Sequence, residues 1–371
     1  MIGHGAPGGD PLRDRSPAPA ILGAVPADLA SLDVLVLDAQ ATAARGHLLE
    51  LGWARTSAQG GPPRAVARVL RLPPGETLPR RVAALTGLSE EALAGGVDAG
   101  DAFRELLADA APLAREHGVP TVIHYARFEA PFLAALCAQE IGSPPLDVIC
   151  AHAVARRLLP DLPRCTLRAL AGYFGHPLAT LRRAGEHVEA TAAVWRSLVA
   201  LLAEQEGVCS WEDLRAFLAG PPRRRTHRAY PMPREIRLAL PEQPGLYRML
   251  RQDGSVLYVG KATSLRARVN SYFRRQSGGA EHTLEMLSQA RSLSYAVAES
   301  ALEAALAEPD EIKAHRPPYN LALREGAQRS GMPRTAAGLG LGSPASAAAS
   351  ARTAGSNSRP GNGPCRRRRF G

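Results

Sequence analysis

The amino-acid sequence predicts an α/β (α+β) chain folded as two separate bodies. Two observations carry that expectation. In each of two segments, strand-length apolar runs come first and amphipathic helical stretches follow, and a stretch dense in proline and arginine divides the segments. The folded bodies read as 26–219 and 236–324, with 220–235 as an extended linker. Residues 1–25 and 325–371 are rich in Gly, Pro, Ala and Ser, lack hydrophobic periodicity, and are expected to be disordered.

The first body opens with LDVLVLDAQ, a strand-length run ending near Asp38, and a short turn leads to HLLELGWAR. Together they read as a β-hairpin at a sheet edge. In PTVIHYARFEAPFLAALCAQ a strand-like start passes into apolar residues at helical spacing, Phe128, Phe132, Leu133 and Leu136. TLRALAGYFG and EHVEATAAVWRSLVALLAEQ are helical, the second amphipathic over about five turns.

In the second body PGLYRML and VLYVGKA flank the turn at Asp253-Gly254 and predict a second hairpin. SLRARVNSYFRR is a helix that buries Leu265, Val269 and Phe273. Its arginines Arg266, Arg268, Arg274 and Arg275 lie on other faces, and no acidic residue occurs between Lys261 and Gly279. SLSYAVA is a third strand, SALEAALAE a helix, and HRPPYN closes the body.

Composition removes several classes of protein. A chain of 371 residues is too long for a small disulfide-stapled module, and 22% charged with 45% hydrophobic residues is ordinary for a globular protein. No stretch approaches the ~18 apolar residues of a membrane helix and the N-terminus has no apolar core of a signal peptide, so a cytoplasmic protein without membrane association is expected. Cys137, Cys150, Cys165, Cys209 and Cys365 form neither a CxxC knuckle nor a disulfide framework and read as inert thiols. The net charge of +10 sits largely in the linker and in 325–371, which ends in Arg366 to Arg369.

The ordered set Gly245-Leu246-Tyr247, Tyr258-Val259-Gly260, Lys261, Arg268, Tyr272, Glu308 and Asn320 resembles the GIY-YIG nucleases, in the version found in UvrC-type excinucleases and the shorter homologue Cho. Any one of these residues alone is bland: tyrosines in short strands pack in cores, helical arginines face water, and a glutamate on an Ala-rich helix is a helix former. Jointly they suit phosphodiester hydrolysis, where water loses a proton while charge develops on the phosphate. A tyrosine is a base at neutral pH only if a cation favours its phenolate, and Lys261 is the candidate cation for Tyr258. Arg268 offers a planar fork to the phosphate, and Tyr272, one turn on, shares its face. The resemblance implies Glu308 as the single acidic ligand of Mg²⁺ or Mn²⁺, Asn320 bonding the closing strand against the site, Tyr247 as a third phenol, and Arg266, Arg274 and Arg275 as DNA contacts. Pro309 follows Glu308 directly and is expected to kink its helix.

In the first body Asp38-Ala39-Gln40, HYARFEAPFL and EHVEATAAVW resemble the DnaQ-like exonucleases, which implies an RNase H-like fold. That family holds two metal ions with four carboxylates and uses a histidine base. Here Gln40 replaces one acid, Glu129 and Glu189 stand for aspartates, and the histidine position five residues before the last acid is Ala184. His187, two residues from Glu189 and about 200° around a helix, is expected to face elsewhere. A weak or inactive exonuclease site follows from these changes.

The resemblances imply metal-dependent incision of one DNA strand near damage, in nucleotide excision repair, with DNA and damage-recognition proteins as partners. Two rivals remain: a 3′–5′ exonuclease whose C-terminal module grips DNA, and a scaffold with both sites dead.

Overall fold

The protein is represented by a computed structural model that describes residues 28–140, 145–176, 178, 180–223, 227–274 and 281–320. The disorder expected at 1–25 and 325–371 falls outside them, as does Arg275.

The first body holds β1 (Val34–Ala41), β2 (Leu48–Thr56), β3 (Val66–Val69), α1 (Arg80–Thr86), α2 (Glu90–Ala94), α3 (Ala99–Ala110), β4 (Val119–Ile123), α4 (Ala126–Cys137), β5 (Leu146–Cys150), α5 (Ala151–Leu158), α6 (Leu167–Tyr173), α7 (Ala184–Leu201) and α8 (Trp211–Ala219). Its sheet runs in the order β3-β2-β1-β4-β5, with β2 antiparallel to both neighbours and β1, β4 and β5 parallel. This is the RNase H-like arrangement. The expected hairpin is present, but β1 is the central strand rather than an edge, because β4 takes its free side and β3 covers β2.

Buried on both faces, β1 reads as a continuous apolar run. Val34 and Val36 pack under α5 to α8, against Trp195 and Trp211, while Leu35 and Leu37 pack under α3 and α4, against Phe103 and Leu106. Asp38 shares the parity of Val36 and therefore emerges on the α7 side at the strand's C-terminal end.

The second body holds α9 (Arg234–Leu238), β6 (Gly245–Leu250), β7 (Val256–Ala262), α10 (Leu265–Phe273), α11 (Glu281–Gln289), β8 (Ser292–Val297) and α12 (Ala301–His315). Its antiparallel sheet has the order β7-β6-β8. Tyr247, Met249, Leu257, Leu265, Val269, Met286 and Leu287 form its core.

The segment read as an extended linker is only partly one. The His227 and Ala229 N–H groups bond to Asp161 of the first body, at 3.2 and 2.9 Å, whereas Met232 is buried in the second core and α9 follows immediately. Proline fixes the backbone here, but the apolar Met232 and Tyr230 have a core to join. Cys209, expected to be an inert thiol, is disulfide-bonded. No helix among the described residues is long and apolar enough to cross a membrane.

Candidate active site

In the second body the sheet register brings the two tyrosine motifs together. Tyr247 on β6 stands opposite Gly260 on β7, and a Cβ at Gly260 would lie 2.5 Å from the Tyr247 hydroxyl, so only glycine lets the ring lie across the strand. Ser264 caps α10 by accepting from the Ala267 N–H, which sets the phase of Arg268 and Tyr272. Tyr247, Tyr258 and Tyr272 then form a triangle with ring centroids 6.1 to 6.3 Å apart. The hydroxyls of Tyr247 and Tyr272 are 2.8 Å apart, and the Arg268 guanidinium carbon is 5.2 Å from the Tyr272 ring centre.

Glu308 enters from α12. That helix runs unbroken through Pro309, so the expected kink does not swing the carboxylate away. Its Oε1 accepts from the Lys261 N–H at 3.2 Å and its Oε2 lies 3.1 Å from Lys261 Nζ. Asn320 bonds the strand from the far side: its Oδ1 accepts from the Val259 N–H at 2.9 Å and its Nδ2 donates to the Val259 carbonyl at 2.8 Å. Seven predicted positions thus meet around one short strand. Lys261 and Arg268 also line an open cleft of about 540 Å³, walled on the other side by Ala301 and Ala305 of α12.

The electrostatics differ from expectation in one respect. Burial first, then the neighbouring Tyr272, raises the pKa of Tyr258 well above that of an ordinary phenol, and Arg268 only partly offsets them. Burial and Tyr272 act on Tyr247 in the same direction. The charge of Glu308 adds to the rise at Tyr258, so the expected lowering of that phenol's pKa by a neighbouring cation is not met. Both phenols are protonated at neutral pH.

Beside the cleft, and sharing Ser264 and Ala267 with it, runs a groove of about 620 Å³ between α9 and α10. Arg234, Arg237, Arg266 and Arg274 line it, opposed by Glu242 alone among acids. Arg237 is held by Asn270 at 2.6 Å and stacks on Phe273 at 4.6 Å, while Arg266 makes only a long pair with Glu242, 3.8 Å. Sequence reading missed both Arg234, which it placed in the linker, and Arg237, which it left without a role at the start of the second body.

A divalent cation fits this donor set. One carboxylate at the cleft edge, with water and phosphate oxygens completing the shell, is what a hard ion that keeps its water accepts. Among the described residues no three His, Cys, Asp or Glu side chains gather as a metal cage.

The site of the first body is a pocket of about 400 Å³ lined by Asp38, Gln40, His124, Glu129 and His187 among apolar neighbours. Here the sequence-level register is corrected. Glu50, buried inside β2, accepts from the Ala184 N–H at 2.9 Å and takes a bidentate bond from Arg183, so it caps α7 in place of a local side chain. The helix so anchored turns His187 inward, its Nδ1 3.0 Å from Asp38 Oδ1. Glu189 is exposed and does not line the pocket, and the position five residues after His187 is the buried Ala192.

Glu129 accepts from the Ala39 N–H at 3.1 Å, and burial followed by the Asp38 charge raises its pKa well above the ordinary carboxylate value. Gln40 turns its amide to the Arg182 carbonyl at 2.7 Å. His124, pushed down to about 3 by burial and by His152, is neutral at physiological pH. Of four metal-binding carboxylates only Asp38 and Glu129 remain.

An RNase H-like body that keeps two of the four expected acids is thus joined to a smaller body whose three clustered tyrosines stand beside a cleft lined by Lys261 and Arg268. Residues 243–321 match the family model of the UvrC-like GIY-YIG domain. Over 86 residues the chain is 51% identical to UvrABC system protein C of Legionella pneumophila (strain Lens), covering 23% of this chain and 14% of that protein. Over 254 residues, 67% of this chain and 37% of the other, it is 31% identical to a putative bifunctional exonuclease/endonuclease protein of Mycobacterium tuberculosis (strain CDC 1551 / Oshkosh). The magnesium-bound GIY-YIG N-terminal endonuclease domain of UvrC from Thermotoga maritima is 33% identical, with 24% of this chain and 100% of that one covered and a TM-score of 0.22. The chain spans well under half the length of these curated relatives. It joins a body of RNase H-like fold to a UvrC-like GIY-YIG domain.

Proposed function

We propose that the GIY-YIG cleft makes one metal-dependent incision in a single strand of DNA beside damage, as a step of nucleotide excision repair, and that the exonuclease-type domain does not cut. The observation that carries this reading is the grouping of Tyr258, Tyr272 and the Lys261–Glu308 pair around Arg268, beside a cleft that Lys261 and Arg268 line and next to an arginine-lined groove that shares Ser264 and Ala267 with it. Relatives named as component C of the UvrABC system support the repair setting, with DNA and damage-recognition proteins as partners.

Arg268 binds the scissile phosphate with its planar fork, and the Tyr247–Tyr272 hydrogen bond fixes Tyr272 beside it. Tyr258 removes the proton of the attacking water through its phenolate fraction, which burial keeps small and which grows with pH. A Mg²⁺ or Mn²⁺ ion held by Glu308 would supply Lewis acidity at the phosphate. Arg266 and Arg274 bind flanking phosphates.

The test is incision of a 3′-blocked duplex carrying one bulky lesion by the wild type, Glu308→Ala and Asp38→Ala, with Mg²⁺ or Mn²⁺ and with damage-recognition proteins present or absent. A nick lost only with Glu308→Ala is expected. Loss with Asp38→Ala alone would assign the cutting to the first domain.

A further inference from the structure

The two domains meet along α6 and α11, and the contact is tight and polar. Ser288 and Gln289 of α11 are fully buried, the Arg164 N–H donates to Ser288 Oγ at 2.9 Å, and a Cβ at Gly172 of α6 would lie 2.0 Å from Gln289 Oε1. Arg291 donates to the Tyr173 carbonyl at 2.8 Å and stacks on its ring.

From this seam a hydrogen-bonded chain leads into the nuclease cleft. Thr166, the N-cap of α6, donates its hydroxyl to Glu285 Oε2 at 2.6 Å, and Arg168 Nε stands 3.9 Å from Glu285 Oε1. Glu285 Oε1 accepts from the Tyr319 hydroxyl at 2.8 Å, and Gln289 donates to that same hydroxyl at 2.6 Å. The Tyr319 N–H bonds to the Leu257 carbonyl at 3.2 Å, and the next residue, Asn320, grips Val259 through both atoms of its amide. Tyr258 lies between those two anchored residues.

Glu285 is mostly shielded from water, its side chain 17% exposed, so its charge needs the donors that surround it. Besides Tyr319, the donors on it come from the first domain. We propose that the exonuclease-type domain is a positioning partner of the nuclease site: Thr166 and Arg168 fix Glu285, Glu285 holds Tyr319, and Tyr319 sets Asn320 against the strand that carries Tyr258. Thr166, Arg168, Glu285 and Tyr319 are positioning residues, not catalytic ones. The inference rests on the reading of the GIY-YIG cleft as the cutting site, and gives a domain depleted of metal ligands a reason to stay attached.

Thr166→Asp keeps the helix cap but sets a carboxylate against Glu285, whereas Thr166→Asn keeps both the cap and a donor. In the full-length chain, single-turnover nicking by Thr166→Asp is expected to fall about tenfold with substrate affinity unchanged, Thr166→Asn to stay within about twofold of wild type, and Glu285→Gln to restore most of the rate when combined with Thr166→Asp. Hydrogen exchange at the Val259 amide is expected to quicken in Thr166→Asp and to return in the double variant; it reads the same contact without any nicking. Normal exchange and a normal rate in Thr166→Asp, or no recovery with Glu285→Gln, would overturn the proposal. An inert wild type with the exchange pattern intact would instead refute the assignment of the cutting site and leave the coupling standing.

Discussion

His187 lies 3.0 Å from Asp38 across the exonuclease-type pocket, and the pair raises the pKa of the imidazole. Burial pulls that value down, but the hydrogen bond and charge of Asp38, with the Leu181 carbonyl and the Glu186 charge, together more than offset it. A folded-state value above the ordinary 6.5 means that the pair's stabilisation is complete below that pH and fades as pH rises through the raised value. His187→Gln is therefore expected to cost about 1–2 kcal/mol at pH 5.5 and distinctly less at pH 9, measured by urea unfolding. An equal loss at both pH values would show that the charge of His187 contributes nothing.

Glu129 predicts the opposite trend. Its pKa is raised by burial and by Asp38, so the folded state is penalised as pH climbs above the ordinary carboxylate value. Glu129→Gln keeps an oxygen for the Ala39 N–H and removes the penalty. The variant's Tm is expected to exceed that of wild type by a few degrees at pH 8 and to converge on it near pH 4, as scanning calorimetry would reveal.

A phenol whose pKa burial raises makes a poor base at pH 7 and a better one in alkali. With Mg²⁺ saturating, the nicking rate of the wild type is expected to climb about tenfold per pH unit from 7 to 9 without a plateau. Tyr258→Phe should lose at least a hundredfold and flatten the profile. A wild-type plateau near pH 7 would mean that another group takes the proton.

The arginine groove predicts a change in salt dependence. Arg266→Gln and Arg274→Gln together are expected to lower the slope of log affinity against log salt by about 2, in a Glu308→Gln background that binds without cutting. Fluorescence anisotropy on one duplex at several salt concentrations provides the measurement; an unchanged slope would place the phosphates elsewhere.

Tyr247, Tyr258, Lys261, Arg268, Tyr272, Glu308 and Asn320 were singled out together by resemblance, and local patterns placed the first five on a hairpin and the helix after it, where periods of 2 and 3.6 order the faces. Glu308 and Asn320 lie far along the chain, where no local pattern ties them to the hairpin. The register of α7 was misread because what fixes it is Glu50, a buried acid more than 130 positions upstream. Its only signal was a charge inside the apolar run HLLELGWA. For the same reason the seam between the domains was invisible: α11 has a modest apolar face, and what Ser288 and Gln289 bury against is supplied by the other half of the chain.

The short tether that binds Asp161 at one end and drops Met232 into the second core at the other leaves little slack between the halves. Combined with the crowded contact at Gly172, it turns the chain into a fixed calliper rather than two tools on a string. DNA gripped by one jaw would be presented to the other at a constant reach, and the nick would fall at a fixed distance from that grip.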